Sequence, residues 1–306
     1  MGKESATDDE GEFAGTLHRL EPLLGALSGE PVPLSGGITN RNYRARLGSH
    51  EYVVRLPGKD PALLGISRDG ERLASQAAAR LGIAPALAAS TPDCLVTEFV
   101  HAREFSPTEL AAAPERVADA LRAFHDHGPV LPTRFHVPTL LDDYATIVVA
   151  RGGTLPEQYA ATQEALARIE AALPIHDLVP CHNDLLNGNL LHAQDGRVLI
   201  VDWEYSGMGE RFFDLGNLSV NNEFVAQDDE RLLTAYLGAP PTASERARLS
   251  LMRIVSDARE AAWGVVQLVL SELQFDFAGY ASRHFDRLRV ALADPQLEDW
   301  LDAASA

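Results

Sequence analysis

Within the run CHNDLLNGNLLHAQDGRVLIVDWE, from Cys181 to Glu204, the pair Asp195-Gly196 restricts the fold more than any other feature of the chain. An Asp-Gly pair between two apolar runs is a strong signal for a two-residue hairpin, because a type I′ turn needs positive φ and this pair tolerates it. The apolar runs here are Leu190-Leu191 before the turn and Val198 to Val201 after it. In a regular hairpin Gln194 pairs with Arg197, and the ladder runs back until Asn189 faces Asp202 at the open end. A carboxamide oxygen and a carboxylate then converge. Hard oxygens of that kind suit Mg²⁺, which takes few protein ligands and completes its shell with phosphate and water. Asp184 stands on the loop leading in, placed to act as a base.

The spacing His182-x-Asp184, then Asn189, then a hairpin ending at Asp202, has the form of a kinase catalytic loop. In that scheme the loop Asp receives the proton of the attacking hydroxyl, while Asn and the second Asp hold the metal on the phosphates. His182 is expected to organise the loop without joining the proton transfer. The sequence CHNDLLNGNLL, followed by LIVDWEYSGMGERFFDLGN, resembles the aminoglycoside phosphotransferase superfamily and, within it, the choline/ethanolamine kinase group. The likeness extends over roughly residues 31 to 290. It implies an α+β, two-lobed protein kinase-like fold, with a small antiparallel-sheet N-lobe and a larger, mainly helical C-lobe. ATP would lie between the lobes with Mg²⁺.

Bulk properties agree with such an enzyme. A chain of 306 residues with 46% apolar residues can bury a substantial core in one or two domains. Its net charge of −18 argues against nucleic acid or an anionic membrane as partner, since both require a basic face. The same charge suits a cationic small-molecule acceptor, but ATP is an anion and needs local screening by Mg²⁺ and a few arginines. Two cysteines, Cys94 and Cys181, form neither a metal-type spacing nor a disulfide framework, which points to a reducing, cytoplasmic setting. No apolar run reaches membrane-spanning length, and the first residues match neither a signal peptide nor a myristoylation pattern. Oligomeric state stays open, a homodimer included.

Taken in order, residues 1–12 predict a disordered tail, 13–100 the nucleotide-binding N-lobe, and 101–306 a C-lobe for catalysis and acceptor binding. Leu17, Leu20, Leu24 and Leu27 space out a helix over 14–28. Residues 31–46 read as strand, glycine turn and strand, and Tyr52 to Leu56 as a third strand. The resemblance marks Gly37, Thr39 and Asn40 in the glycine turn as phosphate contacts, where backbone amides can approach oxygens. Arg55 lies where such folds carry a phosphate-binding lysine; a guanidinium can bind phosphate as a fork and stays charged. Glu71, on a helix over 67–81, is placed to pair with it. Strands at Ala84–Leu87 and Cys94–Glu98 follow, and Glu98-Phe99-Val100 forms the connector whose backbone, in kinase-like enzymes, meets the adenine edge.

Beyond Pro107 the chain turns helical, with helices over 110–127, near 140–150, over 157–172, over 212–222 and two more within 244–290. His125 and His127 are expected at the surface or as capping residues, and neither they nor His176 and His192 form a metal cluster. Asp214 is expected to accept hydrogen bonds from the catalytic-loop backbone. The resemblance makes Tyr205, Trp263 and Tyr280 candidates for an aromatic cage around a quaternary ammonium, held by ring quadrupoles. Two departures stand out. Asn221 occupies a position expected to be acidic, with Glu223 off register, and Val266 stands where a second Trp is usual. Whether Glu204 or Glu223 helps bind metal or substrate is left open. The expected activity is phosphorylation of an amino alcohol, choline first and ethanolamine next. Alternatives are an aminoglycoside, macrolide, sugar or thiamine kinase, a non-catalytic nucleotide-binding protein, and a metal-dependent hydrolase.

Overall fold

The computed structural model describes residues 4–34, 40–58, 60–173 and 178–305, with side chains described from Phe13 onward. Gly37, Thr39 and His176 lie outside the described residues. Helix α1 (Glu4–Leu24) opens the chain. It starts before residue 14, where the sequence places the helix start.

Five strands follow: β1 (Val32–Leu34), β2 (Arg41–Leu47), β3 (His50–Leu56), β4 (Leu87–Thr91) and β5 (Cys94–Glu98). They form one antiparallel sheet in the order β1-β2-β3-β5-β4. The predicted strand over 84–87 is displaced to β4, since Pro85 has no N–H to give a ladder. Leu17 and Leu20 of α1 close one sheet face with Leu47, Val54 and Val96, all buried. Helix α2 (Arg68–Arg80) lies between β3 and β4 in sequence, and the Ser67 side chain caps it by accepting from the Gly70 N–H at 3.1 Å.

The second lobe begins with β6 (Ala102–Glu104), α3 (Pro107–Ala112) and α4 (Glu115–His127). The single helix expected over 110–127 is interrupted at Ala113-Pro114, because a proline ring cannot continue the first helix. Helices α5 (Val137–Ala150) and α6 (Gln158–Ala172) lead to β7 (Val179–Cys181), β8 (Leu190–Ala193), β9 (Val198–Ile200) and β10 (Gly207–Gly209). Strand β8 joins β6 and β9, while β7 pairs with β10. The lobe closes with α7 (Arg211–Asn221), α8 (Ala226–Leu237), α9 (Ala243–Leu270), α10 (Phe277–Leu292) and α11 (Leu297–Ser305).

The 28-residue α9 is the axis of this lobe, and a Thr242–Glu245 capping box sets its start. Close packing of α7 on α9 depends on Gly216. A Cβ there would lie 2.7 Å from the Met252 carbonyl carbon and 2.8 Å from the Arg253 nitrogen, both backbone atoms that cannot step aside. The glycine inside FDLGN therefore serves helix approach. No helix among the described residues is long and apolar enough to cross a membrane.

Candidate active site

The loop between β7 and β8 is held from below by α7. Asp214 accepts from the backbone N–H groups of His182 at 2.8 Å and Asn183 at 2.7 Å, and its Oδ2 also meets His125 Nε2 at 3.0 Å. Burial alone would raise this carboxyl, but the hydrogen bonds and charge of His125 and His182 outweigh it and hold Asp214 below its ordinary value. One helical turn on, Asn217 accepts from the Leu185 N–H and donates to Ser256 Oγ on α9. Asn222 donates to the Leu185 carbonyl at 3.1 Å. Two polar residues three apart on one helix face thus fix a loop that has no ladder of its own. Asn183 takes the left-handed region, φ 68°, and its amide donates to the Tyr205 carbonyl at 3.0 Å.

His125 is not a surface residue. It is buried, linked through Nδ1 to the Tyr236 hydroxyl at 2.7 Å and through Nε2 to Asp214, whereas His127 is exposed. The i to i+4 face of α4 turns it inward with Leu121 and Phe124. His125, Cys181 and Asp214 bring one ligand atom each within 4.8 Å of one another, but Asp214 and His125 are already engaged by the loop and by Tyr236.

His182 is fully buried with its ring edge-on to Trp203 at 4.7 Å. Its Nδ1 accepts the Asp184 N–H at 3.2 Å and its Nε2 meets the Val201 carbonyl at 3.0 Å, which assigns the proton to Nε2. Burial pushes its pKa down to about 4, so the ring is neutral near pH 7. It ties the loop to the far end of the hairpin.

The hairpin itself differs by one residue from the regular form. Leu190 pairs with Ile200 and His192 with Val198, so Asn189 falls opposite Val201 and not Asp202. The turn holds three residues: Gly196 donates its N–H to the Ala193 carbonyl, Ala193 to Arg197, and Gly196 has φ 88°. A type I turn followed by a left-handed glycine adds one residue to the loop. Asp202 then takes φ 63° directly after Val201, whose N–H still bonds to the Asn189 carbonyl at 3.0 Å. That left-handed step carries the Asp202 side chain into the same cavity as Asn189.

The cavity, of about 280 Å³, lies between the lobes, and Arg55, Glu98, Phe99, Val100, Asn189 and Asp202 are among its walls. That is close to the lower end, about 300 Å³, of the volumes of small-molecule pockets. Arg55 reaches from β3 to both Glu71 on α2 and Asp202, and Arg68 adds contacts to Glu71 at 2.6 Å and Glu204 at 3.5 Å. Burial, with Asp202 beside it, raises the Glu204 carboxyl above its usual value. Asn40 is buried at the edge of this group. A larger cavity of about 760 Å³ sits on the outer side of the second lobe, against α9 and α10, and contains none of the loop residues.

Asp184 points the other way, toward α9. The Asn189 amide nitrogen donates to its carbonyl at 2.8 Å and lies 3.3 Å from its Oδ2, while Arg259 Nη1 meets its Oδ1 at 3.1 Å. Burial raises the Asp184 carboxyl above its ordinary value; Arg259 opposes this, and Glu260, Asp202 and Glu204 add to it. With the amide nitrogen of Asn189 taken by Asp184, its oxygen is the atom left for a cation. That oxygen and the Asp202 carboxylate are hard donors in one cavity, a set that fits Mg²⁺ completed by phosphate and water.

Of the aromatic candidates, Tyr205 and Trp263 are buried and Tyr280 is half-buried. The Trp263 indole donates to the Tyr205 hydroxyl at 2.8 Å and packs edge-on against Tyr280 at 5.4 Å. The Tyr205 ring is covered by the Arg259 guanidinium, 4.3 Å from its centroid. Arg259 also bonds Glu260 at 2.9 Å, and Glu260 accepts from the Tyr280 hydroxyl at 2.7 Å. Sequence reasoning passed over Arg68, Arg259 and Glu260. For the last two a signal existed: they are a charged pair inside the otherwise apolar run from Ala258 to Val266 of a long helix. Asn221 is the last residue of α7, and Glu223, two residues further on, is exposed with φ 58°.

Similarity to known proteins agrees with this architecture. The choline/ethanolamine kinase family protein from Mesorhizobium loti superposes with TM-score 0.81 at 32% identity, covering 96% of this chain and 99% of that one. The structure of LicA in complex with AMP matches at 26% identity and TM-score 0.75, covering 92% and 97%. Ethanolamine kinase 2 of Mus musculus is 26% identical over 77% of this chain and 68% of its own. Residues 30–250 match the model of the phosphotransferase enzyme family. The chain belongs to that family, within its choline/ethanolamine kinase group, and is a phosphotransferase with an alcohol group as acceptor.

Proposed function

We propose that the protein uses ATP and Mg²⁺ to phosphorylate the hydroxyl of a small amino alcohol. The observation that carries this reading is Asn189, which bridges Asp184 on one side and shares a cavity with Asp202 and Arg55 on the other. The names of the similar proteins, choline and ethanolamine kinases, favour an amino alcohol, and the AMP bound to LicA favours an adenine nucleotide between the lobes.

In this reading Mg²⁺ neutralises phosphate charge when bound, with Asn189 Oδ1 and Asp202 as its protein ligands. Arg55, braced by Glu71, supplies fixed positive charge beside the triphosphate in an overall acidic chain. Glu98 to Val100 offer backbone to the adenine. Asp184 orients the acceptor hydroxyl and takes its proton; a carboxyl raised by burial is the better proton acceptor near neutral pH. His182, neutral and tied at both nitrogens, holds the loop. Catalysis of this type is mostly positioning and charge stabilisation.

The test is ADP release measured across amino alcohols, aminoglycosides and sugars, with and without Mg²⁺. ADP release that depends on both an amino alcohol and Mg²⁺ is expected. Release with aminoglycosides alone, or with water alone, would refute the assignment.

A further inference from the structure

We propose that Arg259 sets acceptor selectivity, excluding a quaternary ammonium from the Tyr205–Trp263 wall and favouring an amino alcohol that carries a further oxygen. This rests on the amino-alcohol kinase reading above and narrows it.

A tyrosine face beside a catalytic carboxylate is an attractive seat for a trialkylammonium, which binds through ring quadrupoles and cannot donate hydrogen bonds. Here the seat is taken. The Arg259 guanidinium lies 4.3 Å over the Tyr205 ring while Nη1 bonds Asp184 and Glu260 at 3.1 and 2.9 Å. The residue is 2% exposed and α9 fixes its backbone. The ring face is therefore closed to a trimethylammonium, which depends on it and has no N–H to give Asp184 or Glu260, whereas a primary ammonium can bond carboxylates without a ring. Losing the ring contact weakens binding by roughly tenfold.

The remaining atoms say what belongs there instead. Nε and Nη2 of Arg259 are buried without a hydrogen-bond partner. Together they form one edge of the guanidinium, the edge whose two parallel N–H groups fit a carboxylate or a pair of oxygens. Buried unpaired donors are unfavourable, and a ligand oxygen would satisfy them. Asp184 is bonded to the same guanidinium, so an oxygen held on that edge would lie on an acceptor adjacent to the base. Arg259 thus becomes a positioning residue for Asp184 and a reading head for the acceptor. Ethanolamine, serinol and serine share a primary amine and a hydroxyl but add no oxygen, a neutral oxygen and a carboxylate respectively; choline has a trimethylammonium in place of the amine.

The experiment compares kcat/KM for these four acceptors in the wild type and in Arg259→Lys, which keeps the charge and loses the forked edge. We expect the wild type to use serinol or serine better than ethanolamine, and choline worst by roughly tenfold or more. Arg259→Lys should raise KM for serinol and serine toward that of ethanolamine, with a smaller change in kcat, and should still refuse choline. Wild type that uses choline as well as ethanolamine, or that gains nothing from the added oxygen, overturns the proposal while leaving the kinase reading intact. If none of the four is phosphorylated, the amino-alcohol reading fails. Titration calorimetry of the same compounds then decides this proposal by itself: choline bound more tightly than serinol and serine overturns it, and the reverse order supports it. An insoluble Arg259→Lys leaves the wild-type ranking as the deciding result.

Discussion

Replacing Asp214 with Asn tests whether the catalytic loop is held by α7. One carboxylate oxygen serves both His125 Nε2 and the His182 N–H, and the other serves the Asn183 N–H at 2.7 Å. An amide offers only one oxygen. Its most favourable orientation keeps the Oδ2 side and turns an NH₂ toward the Asn183 N–H, leaving two donors face to face. An orphaned buried N–H costs about 1–3 kcal/mol, and losing the charge on the remaining bonds adds about 1 kcal/mol. The expected destabilisation is therefore about 2–4 kcal/mol, a large share of the 5–15 kcal/mol typical of a folded chain. Urea unfolding followed by fluorescence of the three tryptophans measures it. The loop would also shift, and a displacement of about 1 Å costs about 10² in turnover.

The pH dependence supplies a second check. Asp214 titrates below its ordinary 3.8 in the folded protein, so its contribution is fully present above that value. It is lost as pH falls through the lower folded value. The wild-type advantage over Asp214→Asn should therefore hold between about pH 7 and pH 5 and shrink below about pH 4. An unchanged urea midpoint at neutral pH, or a gap that widens in acid, would refute the reasoning.

Asp184→Asn should lower kcat by about 10²–10⁴ while far-UV circular dichroism stays unchanged, because Arg259 keeps Glu260 as partner. Near-normal turnover would remove Asp184 from the reaction. Chelation with EDTA should abolish ADP release and added Mg²⁺ restore it, while Asp202→Ala should raise the Mg²⁺ needed for half-maximal rate by about tenfold or more. Arg55→Lys should raise KM for ATP, since an ammonium cannot fork between Glu71 and a phosphate; an unchanged KM would count against the assignment of Arg55. Gly216→Ala should destabilise by about 1–3 kcal/mol in the same urea assay, through contact with the α9 backbone; wild-type stability would contradict the close approach of α7 and α9.

Much of this protein was determined by local chemistry that a sequence displays. The Asp-Gly turn, the apolar runs on either side and the spacing of Asp184, Asn189 and Asp202 need only neighbouring residues to be understood, while the family and two-lobed fold came from the resemblance of the motifs around them. Most strands of the first lobe and most helices of the second were legible for the same reason, as was the tie between Asp214 and the loop. What tertiary structure decided depends on atoms far apart in the chain. The hairpin gained one residue because Gly196 closes a three-residue loop, and only the left-handed step at Asp202 returned its carboxylate to the cavity. His125 turned inward because Asp214 and Tyr236, 89 and 111 residues away, wait for its two nitrogens. Arg259 lay unremarked in a long helix until the fold set it over Tyr205 and against Asp184, 75 residues away in the chain. A buried charge takes its meaning from its partners, and partners are assigned by packing in three dimensions.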